Sequence, residues 1–438
     1  MILDWKYLAV SLLRGARSAL SRIDSLDYRR RSLIVVGAFA LAGMTLPAAP
    51  SASAQLGSDP EWVGTWATSP QIQMPNTTPT QFPPQTTLRE IVHTSIGGSF
   101  VRVRLSNEIG TEPLVIGSAH VALRSADGSI ISASDRPLTF SGQSSITIPP
   151  GGPALSDAVR LDVPPLSDLA VSLHLPNATT GSTFHGVALQ TSYIAPAGAD
   201  YTGATTLPTA STTTQSWFFL TAVNVAVPRR AAAIVALGDS ITDGVNSTPD
   251  TNHRWPNVLA ERLQAAHGFK PLGVLDEGIN GNRLLSQGSF APNALKRFDR
   301  DALAQAGVEY LIVLLGINDI GHSALGDGPT VTPADLIAGY RQLIARAHEQ
   351  GILAYGATLT PMGGSRYDLP AAQALRDAVN AWIRGSGEFD AVIDFDRVAR
   401  DPSQPMRLLP AYDSGDHLHP NDTGYRAMGE AIPLQLFR

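Results

Sequence analysis

Five residues in four distant segments of this 438-residue chain carry the groups that nucleophilic catalysis by serine requires. Ser240 can supply a nucleophile and His419 a base, with Asp416 three residues earlier to hold the imidazole. The backbone N–H groups of Ser240 and Gly281 and the side-chain amide of Asn318 can stabilise an oxyanion. The pattern therefore predicts one catalytic site that needs neither a metal ion nor a cofactor.

Each segment also has an ordinary structural interpretation when it is taken alone. The Gly-Asp-Ser at 238–240 is a common turn tripeptide, and residues 316–319 fit a turn at the end of a strand. His417 and His419, with Asp413 nearby, are also compatible with a divalent ion, although a zinc site needs a third ligand and a hydrogen-bonded outer shell. The combination of all four segments, in this order, favours catalysis over these alternatives.

The elements that must position these residues are predicted by a strand–helix rhythm after residue 229. Such alternation builds a parallel sheet with helices on both of its faces. Strands are predicted at 232–237, 272–275, 310–315, 352–359 and 391–395. Helices are predicted at 254–267, 294–306, 333–350, 370–383 and from 421 onward.

Ligands of such sheets gather beyond the carboxyl ends of the strands. Ser240, Gly281 and Asn318 follow the first, second and third predicted strands, and His419 with Asp416 precedes the last helix. The topology therefore predicts that all of these residues meet at one rim. The loops predicted at 321–333 and 363–369 belong to the same rim and are mostly polar or small, so no apolar lid is predicted.

The preceding part of the chain has the pattern of short β-strands separated by glycine and proline. Residues 101–105 alternate strictly between apolar and charged side chains, which is typical of a half-buried strand. Further strands are predicted at 114–116, 145–148, 159–163 and 171–175, and no amphipathic helix is evident among them. This pattern predicts an all-β sandwich, jelly-roll-like in type.

The first 54 residues have the layout of an export signal. Seven Lys/Arg and three acids lie in residues 1–31, an uncharged apolar run follows at 33–46, and an A-x-A pattern stands at 52–54. The apolar run is shorter than a membrane span, which makes an uncleaved anchor the lesser hypothesis. We expect a signal peptide at 1–54, a β-sandwich domain at 55–228, a hydrolase domain at 229–438, and no membrane span after signal removal.

Charge and cysteine content exclude several classes of function. The chain has a net charge of −6 and becomes more acidic once the basic leader is removed, which disfavours nucleic acid or an anionic membrane as a partner. It has no cysteine, so disulfides, thiolate metal sites and a cysteine nucleophile are excluded. The export signal predicts that the protein acts in the periplasm or outside the cell.

The residues from 231 to 438 resemble the SGNH (GDSL-type) hydrolases. The resemblance is carried by the run GDSITDG at 238–244, by Gly281, by Asn318 and by Asp416-x-x-His419, which match the four sequence blocks of that family in order. It implies a flavodoxin-like α/β/α fold with a five-stranded parallel sheet. It also implies Ser240 as nucleophile, His419 as base, Asp416 as its partner, and Ser240, Gly281 and Asn318 as the oxyanion hole, with Gly278 a lesser option for Gly281. The β-rich part is similar to the β-domain of two-domain bacterial GDSL esterases.

These patterns and the resemblance together predict a secreted serine ester hydrolase that acts through an acyl-enzyme. We expect its substrate to be a small-molecule or polysaccharide ester, with a short acyl group of the acetyl type. An α/β-hydrolase is disfavoured because no G-x-S-x-G occurs and the acid lies beside the histidine. Two alternatives are a lipase or phospholipase of the same family and, from another class, a non-catalytic glycan-binding surface protein.

Overall fold

Alternating side chains become antiparallel strands throughout the first part of the described chain. The computed structural model describes residues 61–73, 79–227, 230–288 and 291–438; the predicted signal peptide lies outside them. We call residues 61–227 the β half. Its strands are β1 (Glu61–Ala67), β2 (Gln71–Ile72), β3 (Gln81–Phe82), β4 (Thr86–His93), β5 (Gly98–Ser106), β6 (Leu114–Ile116), β7 (Ser118–Leu123), β8 (Arg136–Pro137), β9 (Ile146–Ile148), β10 (Pro153–Leu155), β11 (Val159–Val163), β12 (Asp168–Leu175), β13 (Thr179–Thr180), β14 (Thr183–His185), β15 (Ser192–Ile194), β16 (Thr212–Thr214), β17 (Trp217–Phe218) and β18 (Leu220–Val227).

Two antiparallel sheets form the sandwich-like framework of the β half. One has the order β1-β18-β5-β10 with β11 beside β5, and the other has the order β16-β15-β4-β12-β7-β8. In β5 the side chains of Val101, Val103 and Leu105 are fully buried, whereas Arg102 and Arg104 are half-buried. The alternation in the sequence therefore places one face of this strand in the core. The predicted antiparallel, sandwich-like fold of this part is confirmed.

A five-stranded parallel sheet organises residues 230–438, which we call the α/β half. Its order is β20-β19-β21-β22-β23, which places the first strand of the α/β half, β19, between the second and the third. All seven residues of β19 are buried, as expected of a strand covered on both faces. The strands are β19 (Ala232–Gly238), β20 (Leu272–Gly278), β21 (Val308–Leu314), β22 (Leu353–Ala357) and β23 (Ala391–Ile393), followed by a separate two-stranded hairpin, β24 (Arg400–Asp401) and β25 (Gln404–Leu408).

Helices connect these strands. They are α1 (Ser240–Asp243), α2 (Trp255–Ala265), α3 (Ala294–Phe298), α4 (Ile317–Leu325), α5 (Pro333–Glu349), α6 (Pro370–Gly385), α7 (Phe395–Ala399) and α8 (Asp422–Ala431). Short 3₁₀ turns lie at Ser132–Ser134 and Leu434–Phe437, and a π-helical turn at Asp299–Leu303 extends α3. The predicted parallel sheet with intervening helices is confirmed.

Three differences from the predicted elements concern short segments. Residues 316–319 form the start of a helix rather than a simple turn. Helix α4 begins at Ile317, directly after Gly316, whose φ is 116°. The fifth strand ends at Ile393 rather than at residue 395, since the Asp394 side chain caps helix α7. Helix α1 was not predicted and starts at Ser240 itself. Short helices of this kind lack the apolar repeat that predicts a longer helix.

The β half and the α/β half share one hydrophobic core. The Gly64 N–H of β1 donates to the carbonyl of Ala306 at 2.9 Å, and the Val274 N–H of β20 donates to the Ser95 hydroxyl at 2.9 Å. Buried apolar side chains of both halves, among them Val63 and Leu275, belong to the same cluster. Among the described helices, none combines the length and the apolar character that crossing a bilayer demands.

Candidate active site

The parallel register brings three loops to the same edge of the sheet. Gly238, at the end of β19, lies beside Gly278 of β20 and Leu314 of β21. The chain therefore leaves these three neighbouring strands at the same level, toward the residues predicted to form the site. Ser240, Gly281 and Asn318 lie two, three and four residues beyond those strand ends.

The hydroxyl of Ser240, the imidazole of His419 and the carboxylate of Asp416 form one chain of hydrogen bonds. The Ser240 Oγ lies 2.8 Å from His419 Nε2, and His419 Nδ1 lies 2.6 Å from Asp416 Oδ2. Because a carboxylate can only accept, Nδ1 carries a proton and Nε2 of the neutral ring is free to accept one. The structure thus brings together a hydroxyl and a base in the arrangement that activates serine for attack.

The loop before helix α8 holds Asp416 in its ionised form. Partial burial raises the pKa of this carboxyl. Hydrogen bonds from the backbone N–H and the ring of His419 and from the backbone N–H of Leu418 lower the pKa by more, so that it lies at about 2. The side chain of Asn246 adds a hydrogen bond of 3.0 Å to Oδ2. Asp416 is therefore a carboxylate over the whole physiological pH range and can stabilise a protonated His419 ring.

The serine sits at a tight turn that requires a glycine on the neighbouring strand. Asp239 caps helix α1, since its side chain accepts a hydrogen bond of 3.0 Å from the Ile241 N–H. A Cβ atom at Gly278 would lie 2.2 Å from the backbone nitrogen of Asp243, so that only glycine allows α1 to approach β20 this closely. Gly278 thus has a packing role in the turn.

Gly281 and Asn318 face the same cavity as Ser240. The cavity has a volume of about 240 Å³ and is lined by the five predicted residues together with Asn280, Ser365, Arg366 and Leu418. Gly281 has a φ of 72°, a conformation that favours glycine. Gly281 lines the cavity, whereas Gly278 packs against helix α1.

The amide of Asn318 is held in one orientation by Tyr367. Arg366 donates to the phenol oxygen of Tyr367 at 2.5 Å, so the single proton of that phenol is left for Asn318 Oδ1 at 3.1 Å. Asn318 must therefore present its NH₂ group on the other side, where one hydrogen bonds the carbonyl of Asn282 at 3.0 Å. The second hydrogen of the amide is available to a ligand in the cavity.

Tyr367 and Asn282 contact Asn318 but are not among the residues predicted for the site. They lie 49 and 36 residues from Asn318 along the chain, so no local spacing links them. The one available indication was the predicted rim loop at 363–369, which does contribute Ser365 and Arg366 to the cavity. The other predicted rim loop, 321–333, is partly helical, because α4 continues to Leu325.

The other histidine of the last motif, His417, has a different partner. His417 Nδ1 lies 2.5 Å from Asp413 Oδ2, and the side chain of His417 is exposed. His417 does not line the cavity of Ser240. Within residues 61–438, wherever the chain is described, no group of three His, Asp or Glu side chains is arranged to hold a metal ion.

Asp239 is buried beneath the site and resists ionisation. Burial raises its pKa to about 7, only partly offset by the Ile241 N–H, and the neighbouring Asp319 adds to the rise. One oxygen, Oδ2, has no hydrogen-bond partner among the described residues. Because the folded-state pKa exceeds the unfolded value of about 3.9, the stability that the neutral form contributes is fully present below about pH 4. It is lost progressively as the pH rises to about 7.

We therefore expect Asp239→Asn to stabilise the protein more at pH 8 than at pH 5. The asparagine keeps an oxygen for the Ile241 N–H and removes the unfavourable buried charge. The gain in Tm at pH 8 should be a few degrees, at about 2–4 °C per kcal/mol, in scanning calorimetry. Asp162→Asn, at an exposed position of β11, is the control for the change in net charge. An equal gain at both pH values would contradict the assigned ionisation.

Part of the chain is similar to known proteins. The GDSL-like lipase/acylhydrolase family matches residues 236–427. Solved structures similar to this chain include a carbohydrate acetylesterase family member from Sinorhizobium meliloti (19% identity, 47% of this chain and 97% of that chain, TM-score 0.37). A lipase/acylhydrolase from Enterococcus faecalis (20%, 46% and 93%, TM-score 0.36) and a member of the lipolytic protein G-D-S-L family from Veillonella parvula (17%, 48% and 98%, TM-score 0.35) are also similar.

No curated protein matches the chain. The family match includes the segments of Ser240, Gly281, Asn318, Asp416 and His419 and leaves the β half outside. The chain therefore carries, over residues 236–427, an enzyme domain of the GDSL-like lipase/acylhydrolase family.

Proposed function

We propose that the protein is a serine carboxylic-ester hydrolase that works through an acyl-enzyme, with Ser240 as nucleophile, His419 as base and Asp416 as the residue that orients the base. The observation that carries the proposal is the contact of 2.8 Å between the Ser240 hydroxyl and the His419 ring, whose other nitrogen is held by Asp416. A serine hydroxyl needs such a base within hydrogen-bond reach.

The reaction has two balanced steps. In the first, Ser240 Oγ attacks the ester carbonyl carbon while its proton passes to His419 Nε2. The tetrahedral intermediate then expels the alcohol, which takes that proton, and the acyl group stays on Ser240. In the second, water attacks the acyl carbon with His419 as base, and the acid leaves as Ser240 recovers its proton.

The negative charge of each tetrahedral intermediate falls on an oxygen that needs donors already in place. Three are proposed: the backbone N–H groups of Ser240 and Gly281 and the remaining amide hydrogen of Asn318. Ser240 is the first residue of helix α1, so its N–H has no acceptor within the helix. The Tyr367 phenol supports this role, because it keeps the donor side of the Asn318 amide turned to the cavity.

Asn318→Ala should lower kcat by about 10²–10³-fold, the usual effect of removing one oxyanion donor. Asn318→Asp should be similarly impaired, because it keeps the size of the side chain but replaces the donor by an oxygen. Steady-state kinetics with p-nitrophenyl acetate and a matched Asn177→Ala control, at an exposed position of the β half, measure the effect. An unchanged kcat in Asn318→Ala would remove this residue from the mechanism.

The preferred substrates are proposed to be short acyl esters of the acetyl type, with acetylated polysaccharides as the natural source. The cavity at Ser240 holds about 240 Å³, below the roughly 300–1,000 Å³ of pockets that enclose drug-sized ligands, which favours a small acyl group. Among the residues that line it, Leu418 is the one with an aliphatic side chain.

A series of p-nitrophenyl esters of increasing acyl length, assayed beside acetylated xylan, tests this preference. We expect kcat/KM to be highest for acetate or propionate and acetate to be released from the xylan. A maximum at long acyl chains would favour a lipase instead. Absence of hydrolysis of every ester, together with binding to the glycan, would favour a non-catalytic surface protein.

Activity should survive a strong chelator, because every step above uses groups of the chain and water. Overnight dialysis against EDTA, followed by the p-nitrophenyl acetate assay, measures this. We expect kcat to stay within the error of the untreated protein. A loss that zinc or another divalent ion restores would show that His417 and Asp413, or other residues, bind a catalytic metal.

Export is proposed from the sequence of residues 1–54, which lie outside the described residues. The mature protein recovered from the culture medium or periplasm should then begin after Ala54. Its intact mass would measure the cleavage site, and recovery of the full chain in the membrane fraction would favour the uncleaved anchor.

A further inference from the structure

A histidine of the β half is buried against the α/β half beneath the proposed site. His185 ends strand β14 and is almost inaccessible to solvent. Its Nδ1 lies 2.9 Å from the backbone carbonyl of Ser69, and its Nε2 lies 3.0 Å from Asp243 Oδ1. A carbonyl and a carboxylate can only accept, so both ring nitrogens donate and the ring is an imidazolium.

Asp243 connects that histidine to both backbone elements of the proposed site. It is the last residue of helix α1, which begins at Ser240. Its second oxygen, Oδ2, accepts a hydrogen bond of 3.0 Å from the backbone N–H of Asn280, the residue before Gly281. One carboxylate therefore joins the helix of the nucleophile to the loop that presents the Gly281 N–H.

The pair of His185 and Asp243 is electrostatically matched. Burial lowers the pKa of His185, but the charge and the hydrogen bond of Asp243 raise it by more, so the pKa lies above its usual value. Both side chains are 2% exposed. Removing either partner would leave a buried charge without its counterion, which is unfavourable in an apolar interior. The ring of His185 also packs beside that of Trp217 at 5.6 Å, within the β half.

A second tie from the β half reaches the same strand ends. The Ser69 hydroxyl accepts from Arg297 Nη1 at 2.7 Å and donates to Glu277 Oε2 at 2.5 Å. The fully buried guanidinium of Arg297 also donates to the carbonyl of Gly238 at 2.8 Å and to Asn282 Oδ1 at 3.0 Å. Ser69 thus contacts His185 through its carbonyl and Arg297 through its hydroxyl.

We propose that His185 of the β half is a positioning residue for ester hydrolysis, acting through Asp243 to fix the distance between Ser240 and the Gly281 N–H. Misplacement of reacting groups by about 1 Å can lower the rate about 10²-fold, so a clamp on this distance affects catalysis directly. The inference rests on the proposed function and gives the β half a part in it: the β half supplies one side of the support for the oxyanion loop.

The first test compares His185→Ala with His120→Ala in the full chain. His120 is the matched control, because it also pairs with an aspartate, Asp135 at 3.0 Å, but lies on β7 with its partner inside the β half. kcat for p-nitrophenyl acetate is normalised to the fraction of sites titrated by a fluorophosphonate, so partial unfolding does not enter the result. We expect His185→Ala to lower kcat about 10- to 100-fold with KM little changed, and His120→Ala to leave kcat unchanged.

Amide exchange measures the clamp without any activity. Hydrogen–deuterium exchange of a peptide that begins at residue 276 or earlier and extends to residue 285 reports on the Asn280 N–H, which loses its partner when Asp243 is released. We expect faster exchange there in His185→Ala and the wild-type rate in His120→Ala. A folded His185→Ala protein with wild-type kcat and wild-type exchange would overturn the proposal.

Two variants of Asp243, Asp243→Asn and Asp243→Ala, test the role of this clamp even when His185→Ala does not fold. In Asp243→Asn the side-chain oxygen can still accept from the Asn280 N–H, and its NH₂ can donate to a neutral His185 ring. We expect Asp243→Asn to keep kcat within roughly threefold of wild type, since the hydrogen bonds are preserved. Asp243→Ala, which has no acceptor, should lose as much as His185→Ala. Equal kcat values for the two Asp243 variants would overturn the clamp.

Failure of the clamp and failure of the proposed function give different results. Without the proposed function, wild-type protein hydrolyses no ester or Ser240→Ala remains active, whatever the exchange rate of Asn280 shows. Without the clamp, wild-type protein and Ser240→Ala behave as proposed, but His185→Ala does not differ from His120→Ala.

Discussion

Ser240→Ala should abolish ester hydrolysis, with a loss in kcat of about 10⁴–10⁶-fold, because it removes the atom that is acylated in the proposed mechanism. The variant has no hydroxyl to pass a proton to His419, which lies 2.8 Å away in the wild type. The remaining rate would come from binding and from the oxyanion donors alone. The fold should be retained, since the small buried side chain only loses its hydroxyl oxygen. A fluorophosphonate should label wild-type protein and leave Ser240→Ala unlabelled.

Ser365→Ala is the matched control for this variant. Ser365 lines the same cavity, but its hydroxyl donates to the carbonyl of Met362 at 2.6 Å rather than to an imidazole. We expect Ser365→Ala to remain labelled and to keep kcat within an order of magnitude. Labelling of Ser240→Ala at a wild-type rate would show that another residue is the nucleophile.

His419→Ala should have an effect of similar size, with kcat lower by about 10⁴–10⁶-fold, since nucleophile and base act as a unit. Without the imidazole, the Ser240 proton has no acceptor within hydrogen-bond reach, and Asp416 is left with no ring to hold. Because hydroxide ions from the solvent would replace the missing base, the residual rate should rise steadily with pH. Single-turnover kinetics with p-nitrophenyl acetate would measure the acylation step directly.

The neighbouring histidine provides a strict control. His417 lies two residues away in the same loop and also contacts an aspartate, Asp413, but its side chain is exposed and outside the cavity. His417→Ala should therefore keep most of the activity. If both variants lost activity equally, the loop as a whole, rather than the His419 ring, would be responsible, and the assignment of the base would be wrong.

Local patterns in the sequence were sufficient to predict the long helices and strands and the edge of the sheet at which the site residues meet. The apolar run at 232–237 and the later strand–helix alternation predicted the parallel sheet. The rule that ligands meet beyond the strand ends predicted that Ser240, Gly281 and Asn318 would converge. The structure places all of them, with Asp416 and His419, around one cavity.

What could not be predicted depends on contacts between distant parts of the chain. Tyr367 holds the Asn318 amide across 49 residues, and His185 meets Asp243 across 58 residues. No repeat or spacing in the sequence predicts either contact, because hydrogen bonds of this kind arise from the packing of separate elements. The packing role of Gly278 was also hidden, since it follows from the approach of α1 to β20 in three dimensions.

The joint hydrophobic core makes the boundary between the β half and the α/β half a poor place for truncation. Val63 and Leu275 are both fully buried in one cluster, and Gly64 is hydrogen-bonded to Ala306 across the two halves. A shortened gene that encodes the α/β half alone would uncover this apolar surface and yield a product prone to aggregate. A chimera that exchanges one half would have to keep the apolar surface that contacts the other half. The β half and the α/β half are therefore best transferred together.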